Sequence, residues 1–219
     1  MITKEYTLFF EELAQNNHKE WFHANKKRYE EKVKLPFLSL MGGLMQELTS
    51  WDGRIPADAK NSLFRINKDG RFSKEKSPYH TLLKAGFSPY GKKSMLPGYY
   101  LGIDATTIHV GGGLFTLRPP ELHLVREHIS KNSSGLENVV NDLTFIQNFG
   151  RLKGEKSKRL DKDLLPVAEK TALIYNKQFY AMAEFPLEPF YNSEELLDEI
   201  LLHFKAIRPL NMYLNQAFD

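Results

Sequence analysis

Two spacings organise the apolar positions of this chain. Up to Trp51 they recur at helical intervals: Phe9, Phe10, Leu13 and Ala14, then Trp21, Phe22, Tyr29 and Val33 with the polar Asn25 in the same register, then Phe37, Leu40, Met41, Leu44 and Leu48. Three helices are predicted. Thr7 is placed to cap the first, Asn17 with Glu20 three residues on has capping-box spacing for the second, and Pro36 suits the first turn of the third. From Leu63 the pattern shortens. Leu63, Phe64 and Ile66, and then Leu82, Leu83, Ala85 and Phe87, are apolar runs of strand length. Gly98–Asp104 and Thr106–Val110 read as an antiparallel hairpin fed by an exposed loop over Ser88–Pro97.

Helical spacing returns after Pro119-Pro120, with Leu122, Val125 and Ile129, and again over Gly135–Phe149 and Leu164–Tyr175. Gln178–Phe185 is aromatic and strand-like, and Ser193–Ile207 is a long amphipathic helix that Pro209 breaks or kinks. Arg151–Asp163 is the most charged and least apolar window, the best candidate for a mobile surface loop. The expected fold is α+β: a mainly antiparallel sheet of four or five strands packed by N-terminal and C-terminal helices, all in one domain over residues 1–219.

Composition narrows the class. An apolar content of 42% over 219 residues is ample for a sizeable core. No apolar run approaches the ~20 residues that cross a bilayer, and the first residues lack the layout of a signal peptide. The absence of cysteine removes disulfides, thiolate metal sites and cysteine nucleophiles, and suits a reducing cytoplasm. A cytoplasmic protein without membrane partners is therefore expected.

Charge is unevenly spread. Between Arg65 and Lys93 eight basic residues face Asp69 and Glu75, a local +6 in a chain whose net charge is +3. A concentrated positive field raises the local concentration of anions in a way that dispersed charge does not. Within this stretch Arg65, Arg71, Lys74, Lys76 and Lys84 alternate with Phe64, Phe72, Tyr79, His80 and Phe87, a mixture that suits phosphate contacts beside a ring-stacking surface. The alternative is a solvated face whose lysines only keep the protein soluble. Arg65 argues against that alternative, because it falls between Phe64 and Ile66 in an expected strand, where an arginine needs a partner or a cleft.

Other motifs fail on context. Ser73-Lys74-Glu75-Lys76 has S-x-x-K spacing, but Pro78 would end the helix that this chemistry requires, and no S-D-N or K-T-G partner occurs. His109-Val110-Gly111-Gly112-Gly113 resembles an oxyanion loop without a nucleophile elbow, so a tight turn or a close backbone approach is the better reading. No histidine pair has metal-ligand spacing, and no phosphate-binding or dinucleotide fingerprint is present. Neither a metal nor a cofactor is expected.

Several segments together resemble the domain-of-unknown-function family 2461. They are Asn16–Phe22 with Asn25-Lys26 and Tyr29-Glu30, Phe64–Ile66 with Arg71–Lys74 and Lys76–Tyr79, Pro97–Tyr100, Gly111–Gly113 and Arg208–Asn211. The resemblance implies a single domain and supplies no reaction and no catalytic residues. The residues point to binding of a phosphorylated or other anionic small ligand, with or without catalysis. The candidate site is Arg65, Arg71, Lys74, Lys76 and Lys84, with Tyr79, Trp21 and Asn25 beside them. The rival is a non-catalytic nucleic-acid or protein interaction module on the same surface, with weak nucleic-acid binding.

Overall fold

The structure, a computed structural model, describes residues 1–69 and 77–219. Helices α1 (Lys4–Gln15) and α2 (Lys19–Ala24) lead into a longer helical run: α3 (Lys26–Arg28), a π-helical segment (Tyr29–Lys34) and α4 (Leu35–Trp51). Pro36 lies in the first turn of α4, as its sequence suggests, although α4 continues directly from the π-helical segment. The wider turn ends with the Leu35 N–H bonded to the Glu30 carbonyl, just before the residue that has no N–H to donate. The expected caps differ. Thr7 is buried within α1, and His18, not Asn17, caps α2 by accepting from the Trp21 N–H.

After α5 (Ala59–Ser62) come β1 (Leu83–Phe87), β2 (Gly98–Ile103) and β3 (Thr107–Leu114). Three helices follow, α6 (Pro119–Lys131), α7 (Ser133–Val140) and α8 (Leu143–Phe149), then the one-turn α9 (Leu165–Ala168), β4 (Phe179–Pro186) and α10 (Glu195–Asn215). The sheet is antiparallel with the order β1-β2-β3-β4. The fold is α+β with flanking helices, as the periodicity predicts. Leu63–Ile66 makes no regular strand. It meets the sheet as one bridge, Leu63 to Ala85, with the Phe64 N–H donating to the Lys84 carbonyl.

The described chain divides into two compact units. The first comprises Met1–Lys92, Tyr100–His109 and Glu184–Leu201. Its core is aromatic: Phe9 lies 5.6 Å from both Phe10 and Tyr29, and Phe22 is 5.1 Å from Tyr29. The Tyr6 hydroxyl donates to the Ile103 carbonyl at 2.8 Å, and the Thr7 hydroxyl to that of Ala105 at 2.6 Å. The second comprises Lys93–Tyr99, Val110–Ala183 and Leu202–Asp219. There Asn211 Nδ2 donates to the Gly98 carbonyl at 3.1 Å, and the Tyr213 hydroxyl to the Asn132 carbonyl at 2.7 Å. The charged stretch after α8 lies along β4, where Lys153 and Tyr180 exchange backbone hydrogen bonds of 2.7 and 3.3 Å.

Buried phenols make the fold sensitive to base. Burial raises the pKa of Tyr6 and Tyr29 and pushes Tyr213 from 10.0 up to about 12. The neutral phenol is the form the folded chain favours, so this contribution is complete below pH 10 and is lost as pH rises from 10 toward about 12 at Tyr213. Unfolding by circular dichroism is expected above pH 10, with part of the phenolate absorbance appearing only as the chain unfolds. Simple titration of all the tyrosines near pH 10 without loss of helix would contradict this.

Candidate functional site

A cleft of about 720 Å³ opens within the first unit. Its lining includes Lys26, Lys34, Lys60, Arg65 and Lys92 against one carboxylate, Glu30. Helical spacing places part of this set. Phe22, Lys26, Tyr29 and Glu30 are four, seven and eight residues apart, so they share a face of the helical run from α2. Lys60 comes from α5, whose cap Asp58 accepts from the Lys60 and Asn61 N–H groups.

The opposite wall is built on Tyr79. Its main chain is held from both sides. Asn17 Nδ2 donates to the Tyr79 carbonyl at 3.0 Å, and the Tyr79 N–H donates back to Asn17 Oδ1 at 3.1 Å. On the other side Tyr79 bridges Asn67, with the His80 N–H on the Ile66 carbonyl and the Lys68 N–H on the Pro78 carbonyl, each at 2.8 Å. Asn17 thus supplies with its side-chain amide what a neighbouring strand would supply with its backbone, which explains its place in the sequence better than a capping box. The Tyr79 ring is 4% exposed and stacks on Phe22, with centroids 4.1 Å apart and planes at 18°.

The cations of the cleft are not equivalent. Lys34 is bound to both Glu30 oxygens, at 2.7 and 3.0 Å, and the Lys92 ammonium donates to the Leu63 carbonyl and lies 5.7 Å from the Phe64 ring centre. The side chains of Lys26, Lys60 and Arg65 are exposed and have no hydrogen bond or ion pair among the described residues. Arg65 is not a strand arginine looking for a buried partner. It is exposed, lines the cleft and has no ion pair among the described residues.

The eight residues singled out from sequence meet different fates. Arg65 and Tyr79 line the cleft. Arg71, Lys74 and Lys76 lie outside the described residues. Lys84 does not line it but packs on the Phe64 ring, 5.8 Å from its centre, and burial lowers its pKa. Trp21 turns to Phe9, at 5.5 Å, and Asn25 Nδ2 donates to the Trp21 carbonyl at 3.0 Å, so neither reaches the lining that their neighbours form. The pKa of His80 is lowered, by burial first and then by the charges of Lys84 and Lys68, which registers the positive field of this region. Lys60 and Lys34 escape sequence reasoning, while Lys92 belongs to the basic stretch but not to the candidate residues drawn from it. Lys26 carries a readable signal, four residues after Phe22 on one helical face.

A second polar cluster in the same unit surrounds His109. Its Nε2 lies 2.9 Å from Asp104 Oδ2 and its Nδ1 3.2 Å from Glu184 Oε1. Burial opposes ionisation of Asp104, but the His109 hydrogen bond and the Thr106 and Thr107 N–H groups outweigh it and lower its pKa. Among the described residues no group of three or more His, Cys, Asp or Glu is arranged to hold a metal ion. The cluster ties β3 to the turn before it and to β4.

The family model for "Conserved hypothetical protein (DUF2461)" matches residues 5–213 of the 219. The chain belongs to this family. The family match contains the whole lining of the cleft, from Phe22 to Lys92. No match was found among curated proteins. In this DUF2461 chain no helix among the described residues is long and apolar enough to cross a membrane.

Proposed function

We propose that this protein binds a phosphorylated or otherwise anionic small molecule in the cleft beside Arg65, in a cytoplasmic setting consistent with a chain free of cysteine. One observation carries the reading. Lys26, Lys60 and Arg65 come from three different segments, converge on one concavity of about 720 Å³, and have no anionic partner among the described residues. Like charges gathered without counter-charges repel one another, and a bound anion relieves that repulsion. Arginine adds a planar fork that matches a phosphate, and the stacked Phe22–Tyr79 pair adds an apolar wall.

A concave site separates this reading from a nucleic-acid surface by its salt response. Pyrophosphate binding, measured by calorimetry at several salt concentrations, is expected to fall shallowly with ionic strength. Single-stranded DNA is expected to bind weakly and to lose about 0.7 in the logarithm of affinity per phosphate contact for each tenfold rise in salt. Nanomolar DNA binding that persists at ~0.2 M salt would instead assign the cleft to nucleic acid.

A further inference from the structure

Six side chains among the described residues have a buried nitrogen or oxygen without a hydrogen-bond partner, and of these Asn176 alone lines one of the described clefts. That cleft, of about 520 Å³, belongs to the second unit and is separate from the one beside Arg65. Asn176 is 2% exposed and its Oδ1 has no donor, a costly state for a buried amide. Its place is tightly defined. The Asn176 N–H donates to the Leu173 carbonyl at 3.0 Å, and Asn176 bridges Lys156. Gly154, at φ +153°, presses so close that a Cβ there would lie 2.1 Å from the Gln178 carbonyl oxygen and 3.3 Å from Asn176 Nδ2. Only glycine lets the Gly150–Lys156 segment close over the amide.

The charge around this amide is positive. Arg151 and Lys156 have no side-chain hydrogen bond or ion pair among the described residues, while Lys153 Nζ donates to the Met182 carbonyl at 3.3 Å. The acid of the lining, Glu137, is already engaged: its carboxylate accepts from the Thr171 hydroxyl and from Asn141 Nδ2. Two demands follow for any occupant. It must bring an anion for Arg151 and Lys156, and a proton donor for Asn176 Oδ1. A phosphate monoester dianion that carries no hydroxyl meets the first demand only, and an uncharged polyol the second only.

We propose that this cleft binds a small polyol phosphate, its phosphate at Arg151 and Lys156 and a hydroxyl donating to Asn176 Oδ1. The test is amide NMR on the full chain, titrated separately with glycerol 3-phosphate, methyl phosphate and glycerol, well above the second phosphate pKa of about 6 so that both esters are dianions. Saturable shifts at Gly150, Gly154 and the Asn176 side-chain amide are expected with glycerol 3-phosphate, about fivefold tighter than with methyl phosphate, the difference one added hydrogen bond makes. Asn176→Leu should erase that preference, and Arg151→Gln, at an exposed position, should weaken both phosphates alike. Should Asn176→Leu fail to fold, the wild-type ranking and Arg151→Gln decide the matter. Equal affinity for the two phosphates, or no shifts at Gly150 and Gly154, overturns the proposal whatever happens beside Arg65.

Discussion

Gly111→Ala will destabilise the chain severely, by more than ~4 kcal/mol, a loss reserved for changes that the structure cannot absorb. On β3 a Cβ at this position would lie 2.0 Å from the Ala181 carbonyl oxygen and 2.7 Å from Met182 Sδ on β4. A methionine sulfur can swing aside. A backbone carbonyl inside a ladder cannot, so relief requires the two strands to part and lose their hydrogen bonds. For a protein of this size the melting temperature should fall by roughly 10 °C or more, or the variant should be recovered unfolded. Gly42→Ala is the control, since a Cβ there meets nothing within 4 Å and the residue lies exposed inside α4. That change should stabilise by about 1 kcal/mol, the difference in helix propensity. Equal melting temperatures for Gly111→Ala and the wild type would mean that the β3–β4 approach is not as described.

The second large effect separates binding from folding at one residue. Arg65→Met should leave the melting temperature unchanged or slightly raised, because an exposed cation without a partner among the described residues contributes only repulsion toward Lys60 and Lys26. Pyrophosphate affinity should drop about 10- to 100-fold, the range for losing hydrogen bonds to a charged group. Calorimetry and differential scanning fluorimetry on the same sample read both quantities. A collapse of the melting temperature would make Arg65 half of a structural ion pair, and an unchanged affinity would remove it from the site.

Periodicity made part of this architecture legible. The stripe Phe37, Met41, Leu44 and Leu48 is buried in α4, and Leu83, Ala85 and Phe87 alternate with half-buried residues in β1, as their spacing demands. Gly111 proves to be a close backbone approach within a strand, not part of a loop. Local signals gave way where tertiary demands differ. Of the break or kink expected at Pro209, the break does not occur: α10 runs through it, because buried positions continue at helical spacing through Ile207, Leu210, Tyr213 and Leu214 and outweigh one lost hydrogen bond. The expected helix over Gly135–Phe149 is two, since Asp142 accepts from the Thr144 and Phe145 N–H groups and starts α8 afresh. Leu164–Tyr175 yields only α9 between short 3₁₀ turns.

The candidate site was legible as a location more than as a residue list. Local charge and aromatic interleaving pointed to Arg65 and Tyr79, which line the cleft. They could not point to Lys60, which reaches the site from a helix of its own, or reject Trp21, one residue away from a lining position. Such choices rest on contacts between segments distant in sequence, to which no single spacing rule applies.

Soaking crystals of the protein in pyrophosphate tests the central claim most directly. The account predicts density for the anion within hydrogen-bonding distance of the Arg65 guanidinium and of at least one of the Lys26 and Lys60 ammonium groups. An empty cleft beside Arg65 at saturating pyrophosphate, with or without density near Gly150–Lys156, would contradict it.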